Sequence, residues 1–164
     1  MEINHPDIQL RFLSERFYIE IAPHLTEILE KSTRPYCVLL VKIRGLNFAL
    51  PLRTTLPNRA DIGIKTIPNG KFDKFGQPFY KGIDFSKAVI LPEEKEHYLK
   101  SDVLYLKSFK ERLIIEGQYK KIIQAFKKYL SGYINAMKSQ ATLPEKYQYS
   151  TLKNYHRELK ITVF

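Results

Sequence analysis

Two apolar segments joined by a two-residue turn form the clearest pattern in the chain. Residues 36–43 and 46–52 are apolar with few interruptions, and Arg44-Gly45 separates them. Gly45 suits a tight hairpin turn, so the pattern predicts two antiparallel strands. The first segment is apolar almost throughout, which is typical of a central strand buried on both faces. Pro51 indicates that the second strand ends there or lies at a sheet edge.

The rest of the pattern places one strand and one helix before this hairpin, and strands followed by helices after it. The predicted elements are a strand at 8–13, a helix at 14–31, strands at 62–67 and 83–91, and helices at 104–116, 119–137 and 150–158. Ser14 and Ser150 are predicted N-caps, Pro23 should bend or break the first helix, and Pro68-Asn69-Gly70 indicates a turn. This order predicts a single α+β domain over residues 1–164, with a small antiparallel β-barrel, helices packed outside it and a mostly helical C-terminal half.

Among the features of the composition, only the net charge indicates a class of partner. With 44% hydrophobic residues the chain can form a core, and its formal net charge is +10. Such an excess of cations favours a polyanion, first of all nucleic acid, although a solvated basic surface is the simpler alternative. Cys37 lies in an apolar segment and reads as a small buried hydrophobe rather than a nucleophile. We find no secretory signal and no membrane-spanning segment, so we expect a cytoplasmic protein without a membrane partner.

Metal and cofactor chemistry finds little support in the sequence. The four histidines are far apart in the sequence and lack the spacing of metal ligands; they are His5, His24, His97 and His156. No set of carboxylates suggests a metal site either. There is also no glycine-rich loop of the phosphate-binding kind. We therefore expect neither metal nor cofactor. The chemistry that remains open is cleavage of RNA through its own 2′-hydroxyl, which needs orientation, proton removal and stabilisation of the phosphorane.

The candidate catalytic residues follow the second strand of the hairpin. Arg53 offers a forked guanidinium that matches phosphate oxygens, and Thr54 and Thr55 offer hydroxyl donors. Arg34, just before the central strand, would approach the same end of the hairpin if the barrel closes. Residue types alone favour a simpler interpretation, in which Arg53-Thr54-Thr55 leaves a strand and caps a turn.

Other residues are candidates for holding RNA rather than for catalysis. These RNA-binding candidates are Arg59, Ser86, Lys87, Lys120, Lys127 and Lys128. The lysines of 119–137 lie largely opposite the apolar face of that predicted helix, where they would suit phosphate contacts. The alternatives are an ordinary solvated helix surface for these lysines, a turn cap for Ser86 and a solvated side chain for Lys87.

Several segments resemble the toxins of type III toxin–antitoxin systems, the ToxN/TenpN/CptN group. The hairpin at 38–52, which ends in Pro51-Leu52 before hydroxyl residues, is similar to the strand–Gly–strand segment of that family. The strand at 83–91 and the aromatic-Ser-x-Leu segment within 147–156 are similar to later parts of it. The resemblance covers most of the chain in short pieces.

The resemblance implies a metal-independent endoribonuclease on an SH3-like barrel related to the MazF/Kid toxins. Such toxins cut RNA to a 2′,3′-cyclic phosphate and are inhibited by a small repetitive antitoxin RNA, with which they form a closed protein–RNA assembly. Thr54 and Thr55 match the hydroxyl pair of the family, and Arg34 matches its basic residue ahead of the central strand. Arg53 is an insertion relative to this pattern, and three residues separate Thr55 from Arg59.

We therefore predict a sequence-selective endoribonuclease toxin that cleaves mRNA and is inhibited by a small RNA. In this hypothesis Arg53 stabilises the phosphorane, Thr54 or Thr55 positions the reacting groups and Arg34 is a second phosphate contact. One alternative is a non-catalytic RNA- or DNA-binding module. Another is a structural protein that binds an acidic protein partner through the lysine face.

Overall fold

The computed structural model describes residues 8–29, 36–57, 61–100, 109–139 and 142–161. The strands are β1 (Gln9–Phe12), β2 (Cys37–Ile43), β3 (Leu46–Arg53), β4 (Gly63–Phe72), β5 (Pro78–Asp84) and β6 (Val89–Leu91). The helices are α1 (Glu15–Glu20), α2 (Phe109–Gly117) and α3 (Tyr119–Lys138). Short 3₁₀ turns lie at Ala22–His24, Phe85–Lys87, Lys95–Tyr98, Glu145–Tyr147 and Thr151–Tyr155. The α+β class and the helical character of the described C-terminal half are confirmed.

The six strands form an open antiparallel sheet rather than the closed barrel that the sequence suggested. The order is β1-β2-β3-β5-β4, with β6 also paired to β3. Strand β3 pairs with β6 along Asn47–Ala49 and with β5 only at Leu52 and Arg53. The side of β3 that faces away from β2 thus pairs with two different strands. The strands at the two ends of this order, β1 and β4, do not pair with each other in the described part of the chain, so the sheet stays open. The SH3-like, MazF-type barrel is therefore not confirmed.

The predicted hairpin is confirmed and forms the centre of the sheet. Strand β2 pairs with β3 from Val38↔Pro51 to Ile43↔Leu46, and Gly45 has a φ of +75° in the turn. Leu39, Leu50 and Phe48 are fully buried. Because both apolar faces of the hairpin must be shielded from water, the hairpin lies in the core.

Helix α3 covers this hairpin with one apolar face. Its buried residues are Ile122, Phe126, Tyr129, Leu130, Tyr133 and Ile134. The Phe126 ring meets Phe48 edge-on, with 5.0 Å between the ring centroids. The lysines of α3 are exposed, so the helix is amphipathic as predicted. None of the helices that the structure describes is long and apolar enough to cross a membrane.

The predictions around the first helix are largely confirmed, whereas the turn predicted at Pro68 is wrong. Pro68-Asn69-Gly70 lies inside β4 instead of forming a turn, which is possible because β4 is an edge strand that needs fewer backbone donors. Ser14 is the N-cap of α1 by position, but its side chain makes no cap bond, since its hydroxyl donates to the His97 carbonyl at 3.2 Å. The first helix ends at Glu20 and a 3₁₀ turn contains Pro23, so the predicted break is confirmed.

Candidate active site at the end of strand β3

The tail of β3, residues 54–56, is held in place against strand β5. Arg53 pairs with Gly82 in the sheet, and beyond it the Leu56 amide donates to the Tyr80 carbonyl at 2.8 Å. Leu56 is buried and anchors the far end of the tail. Thr54 and Thr55, between these two fixed points, are exposed to solvent. Two hydroxyl side chains are thus presented on a backbone that is fixed on both sides.

Asn69 of β4 fixes the orientation of the threonine pair. Its side-chain amide donates to the Thr54 carbonyl and to the Thr55 hydroxyl oxygen, each at 3.0 Å. Because the Thr55 oxygen accepts this bond, its own proton stays available for donation to another acceptor. The Thr55 hydroxyl is therefore a directed donor.

Arg53 is oriented by a buried carboxylate. One terminal nitrogen of its guanidinium donates to the Asp84 carboxylate at 3.0 Å, and the Asp84 side chain is fully buried while that of Arg53 is 26% exposed. The other Asp84 oxygen accepts from the Ser86 amide at 2.9 Å and from the Ser86 hydroxyl at 2.5 Å. Asp84 binds one corner of the guanidinium, which has five N–H donors in all. A partly exposed cation thereby stands at a fixed position beside Thr54.

The structure places Ser86 and Lys87 inside the protein. Ser86 is buried, and its hydroxyl serves Asp84. The Lys87 ammonium donates to the carbonyls of Glu27 and Tyr149, each at 2.8 Å, and lies 3.7 Å from the Glu27 carboxylate. These bonds join three segments of the chain. We therefore assign neither residue to RNA contact in the proposed site.

The lysines of α3 are exposed, and Lys127 lies near the β2–β3 turn. Lys127 lines an open depression of about 340 Å³ together with Lys42, Arg44 and Ser131. Arg44 belongs to the β2–β3 turn, whereas Arg53 ends β3, and the seven residue steps of β3 from Leu46 to Arg53 span about 23 Å. Lys120 and Lys128 are exposed on the same helix. RNA contact by these three lysines stays a prediction, and at Lys127 it would concern a part of the RNA distant from the threonine pair.

Two further candidates, Arg34 and Arg59, lie outside the described residues, so their roles also stay predictions. Within the described ranges, no three His, Cys, Asp or Glu side chains group together as metal ligands. Cys37 is confirmed as a buried residue: burial raises the pKa of its thiol to about 12, and the Glu111 charge adds to the shift. A thiol with so high a pKa is a poor nucleophile.

Sequence reasoning missed Asp84 and Asn69, the two residues that orient the candidate site. Asp84 stands between Ile83 and Phe85 in an otherwise apolar strand. A carboxylate in that position requires a buried partner, which was an available signal. Asn69 lay within a Pro-Asn-Gly sequence that normally indicates a turn. Nothing local in the sequence indicated that its side chain would reach the tail of β3.

The open sheet and the helices outside it give this chain the fold of the type III toxins. One matching structure is AbiQ, described as a lactococcal anti-phage endoribonuclease belonging to the type III toxin–antitoxin system. The TM-score is 0.60 at 13% identity, over 93% of this chain and 98% of the other. A second comes from work on bacterial type III toxin–antitoxin systems in which a non-coding RNA pseudoknot selectively inhibits the toxin. Its TM-score is 0.56 at 14% identity, over 95% of this chain and 99% of the other.

At this level of identity the two matches establish the fold, and the resemblance drawn from the sequence is confirmed to that extent. No protein-family model matches the chain, and no curated protein matches it either.

Proposed function

We propose that the protein is the toxin of a type III toxin–antitoxin system, a sequence-selective endoribonuclease that cleaves mRNA without a metal ion. The observation that carries the proposal is the exposed Thr54-Thr55 pair beside an oriented Arg53. Support comes from the fold shared with AbiQ, which is described as an endoribonuclease, and from the net charge of +10. A small antitoxin RNA would inhibit the toxin by occupying this surface in a protein–RNA assembly.

In the proposed reaction the 2′-oxygen of the RNA attacks the adjacent phosphorus. The P–O5′ bond breaks, so that a 2′,3′-cyclic phosphate and a free 5′-hydroxyl are formed, and the proton lost from the 2′-hydroxyl is balanced by one gained at O5′. Arg53 stabilises the charge on the phosphorane oxygens. Thr55, whose oxygen already accepts from Asn69, donates its proton to a phosphate oxygen, and Thr54 positions the same group. Arg34 and Arg59 are proposed as further phosphate contacts.

The test uses the purified chain, mixed single-stranded RNA and an excess of chelator. We expect cleavage products that resist phosphatase until the cyclic phosphate is opened. Thr54→Val and Thr55→Val keep the side-chain shape but remove the hydroxyl, and each should lower the rate about 10²- to 10³-fold, the range for losing one such donor. Thr142→Val is the matched control, since Thr142 is exposed and lies beyond α3. RNA that stays intact over a broad range of sequences would disprove the nuclease.

A non-catalytic nucleic-acid-binding module is the second candidate. It is favoured by the cations around the Lys127 depression, which are distant from the threonine pair. This candidate predicts binding that weakens steeply with salt and no cleavage. Expression of the chain alone separates the two possibilities, because a nuclease toxin arrests growth and the Thr54→Val/Thr55→Val double variant should relieve the arrest.

A further inference from the structure

Strands β4 and β5 continue beyond the sheet as a two-stranded arm. Strand β5 pairs with β3 only through Gly82 and Ile83, while β4 and β5 pair from Gly63↔Asp84 as far as Phe72↔Pro78. Beyond the pairing with β3, Asn69 and Tyr80 of the arm bond to the segment 54–56, and the residues from Lys71 to Gln77 continue past these bonds to the tip. An arm of this kind exposes both faces of its tip.

The turn at the tip is rigidly built. The Asp73 carboxylate accepts from the Phe75 amide at 2.8 Å and from the Gln77 amide at 2.9 Å. The backbone adds a bond from the Asp73 amide to the Gln77 carbonyl at 2.9 Å, and Gly76 supplies the positive φ of +78° that the turn needs. Side chains on this turn are consequently presented in a fixed arrangement.

Two phenylalanine rings stand exposed on this rigid tip. Phe72 is 65% exposed and Phe75 is 77% exposed. Lys71 and Lys74 beside them are also exposed, and the Lys74 ammonium lies 5.1 Å from the Phe75 ring centroid. Exposed aromatic rings with interspersed cations suit unpaired nucleic-acid bases, which stack on the rings while the cations meet the phosphates. An apolar protein partner would be less well matched to the lysines.

The arm also connects the tip to the candidate active site. Asn69, which holds Thr54 and Thr55, precedes Phe72 by three residues, or about 10 Å along a strand. Between them lies an open cleft of about 300 Å³ lined by residues of the tail and the arm, among them Leu56, Lys65, Asp73, Gln77 and Tyr80. The Lys65 ammonium lies 4.9 Å from the Tyr80 ring centroid. An RNA strand that crosses the threonine pair can therefore follow one continuous surface to the tip.

We propose that Phe72 and Phe75 form a stacking surface for the unpaired bases that flank the cleaved phosphodiester, and that this surface helps to select the cleavage position. The inference rests on the proposed function for the identity of the cleaved bond. Stacking itself requires no cleavage, so binding can be measured separately from activity.

The binding experiment uses single-stranded RNA whose 2′-hydroxyl at the cleavage step is replaced by hydrogen and which carries a fluorescent 2-aminopurine base. Stacking on the tip should quench this base. Phe72→Ala and Phe75→Ala should each reduce affinity roughly 5- to 150-fold, the range for one base–aromatic contact, and should relieve the quenching. Tyrosine at either position should preserve both. Ile19→Ala is the matched control, because Ile19 is an exposed apolar residue (67%) on α1.

The cleavage experiment maps the cut positions made by the same variants on long RNA. If the tip selects the position, the alanine variants cut with altered preference, and an abasic nucleotide at the stacked position abolishes the difference between them and the native chain. Native binding that the alanine variants leave unchanged overturns the inference, and so does the absence of binding to the single strand. If the native chain binds and quenches without cutting, the stacking surface stands, while the nuclease proposal and the selection of a cleavage position both fail. If the alanine variants cut at the same positions as the native chain, the nuclease proposal stands and the inference fails.

Discussion

Arg53→Ala should destabilise the protein as well as impair any activity, because Arg53 pairs with a carboxylate that is fully buried. Removing one partner of a buried ion pair typically costs about 3–5 kcal/mol, since a buried charge is left uncompensated. The Arg53 side chain is 26% exposed, so water can replace part of the lost interaction. We therefore expect the lower end, about 3 kcal/mol, which in a protein of this size corresponds to a Tm lower by about 6–12 °C.

The assay is thermal and urea unfolding of four proteins: the native chain, Arg53→Ala, Asp84→Asn and the double variant. Asparagine retains an oxygen that can accept from Ser86, but it has no charge that requires a cation. The double variant should therefore lose much less stability than the sum of the single variants. Arg16→Ala is the control, since Arg16 and Glu20 form an exposed ion pair and its loss should leave Tm essentially unchanged.

Two results would refute this reasoning. Arg53→Ala with the Tm of the native chain would show that Asp84 does not depend on the guanidinium, and exact additivity in the double variant would show that the pair is not coupled. The series also separates stability from catalysis. Asp84→Asn leaves the charge of Arg53 in place but removes its anchor, so a stable Asp84→Asn protein with a low cleavage rate would identify Asp84 as a positioning residue.

Two further predictions concern parts of the structure outside this pair. Gly82→Ala would place a Cβ 2.5 Å from the Ile64 carbonyl oxygen, and should reduce stability by about 1–3 kcal/mol in urea unfolding, whereas Gly117→Ala, with open space around it, should be tolerated. Burial lowers the pKa of His156, whose ring nitrogen lies 2.6 Å from the Tyr133 hydroxyl. The unfolded chain then binds this proton more readily, so stability should fall as the pH drops below about 6.5, and His156→Gln should flatten that part of the pH profile.

The central hairpin was predictable because its signal is local. An apolar run, a glycine turn and a second apolar run specify two paired strands wherever they occur. Closure of the sheet was not predictable, because it depends on which strand takes the free side of β3. That side pairs partly with β6 and partly with β5. The pairing depends on segments distant in sequence, and hydrophobic periodicity carries no information on it.

The candidate site shows the same limit at single residues. Arg53, Thr54 and Thr55 were found because they are contiguous and carry suitable groups. Their orientation depends on Asn69 and Asp84, which are distant in sequence and reach the tail only through strand pairing. Lys87 shows a related limit: a surface lysine and a lysine that bonds two backbone carbonyls look alike in the sequence.

Asn69 and Asp84, which orient the candidate site, lie on the paired strands β4 and β5. The register between these two strands therefore determines the geometry of the site. Between the Lys65↔Gly82 and Phe72↔Pro78 pairs, β4 has three residues more than β5. Such bulges redirect side chains, and Asn69 lies in the irregular interval. With regular pairing, Asn69 would occupy a different position along β5 and could not meet Thr55 while Asp84 still met Arg53. The irregular edge strand therefore places Asn69 against the threonine pair while Asp84, on the partner strand, holds the Arg53 guanidinium.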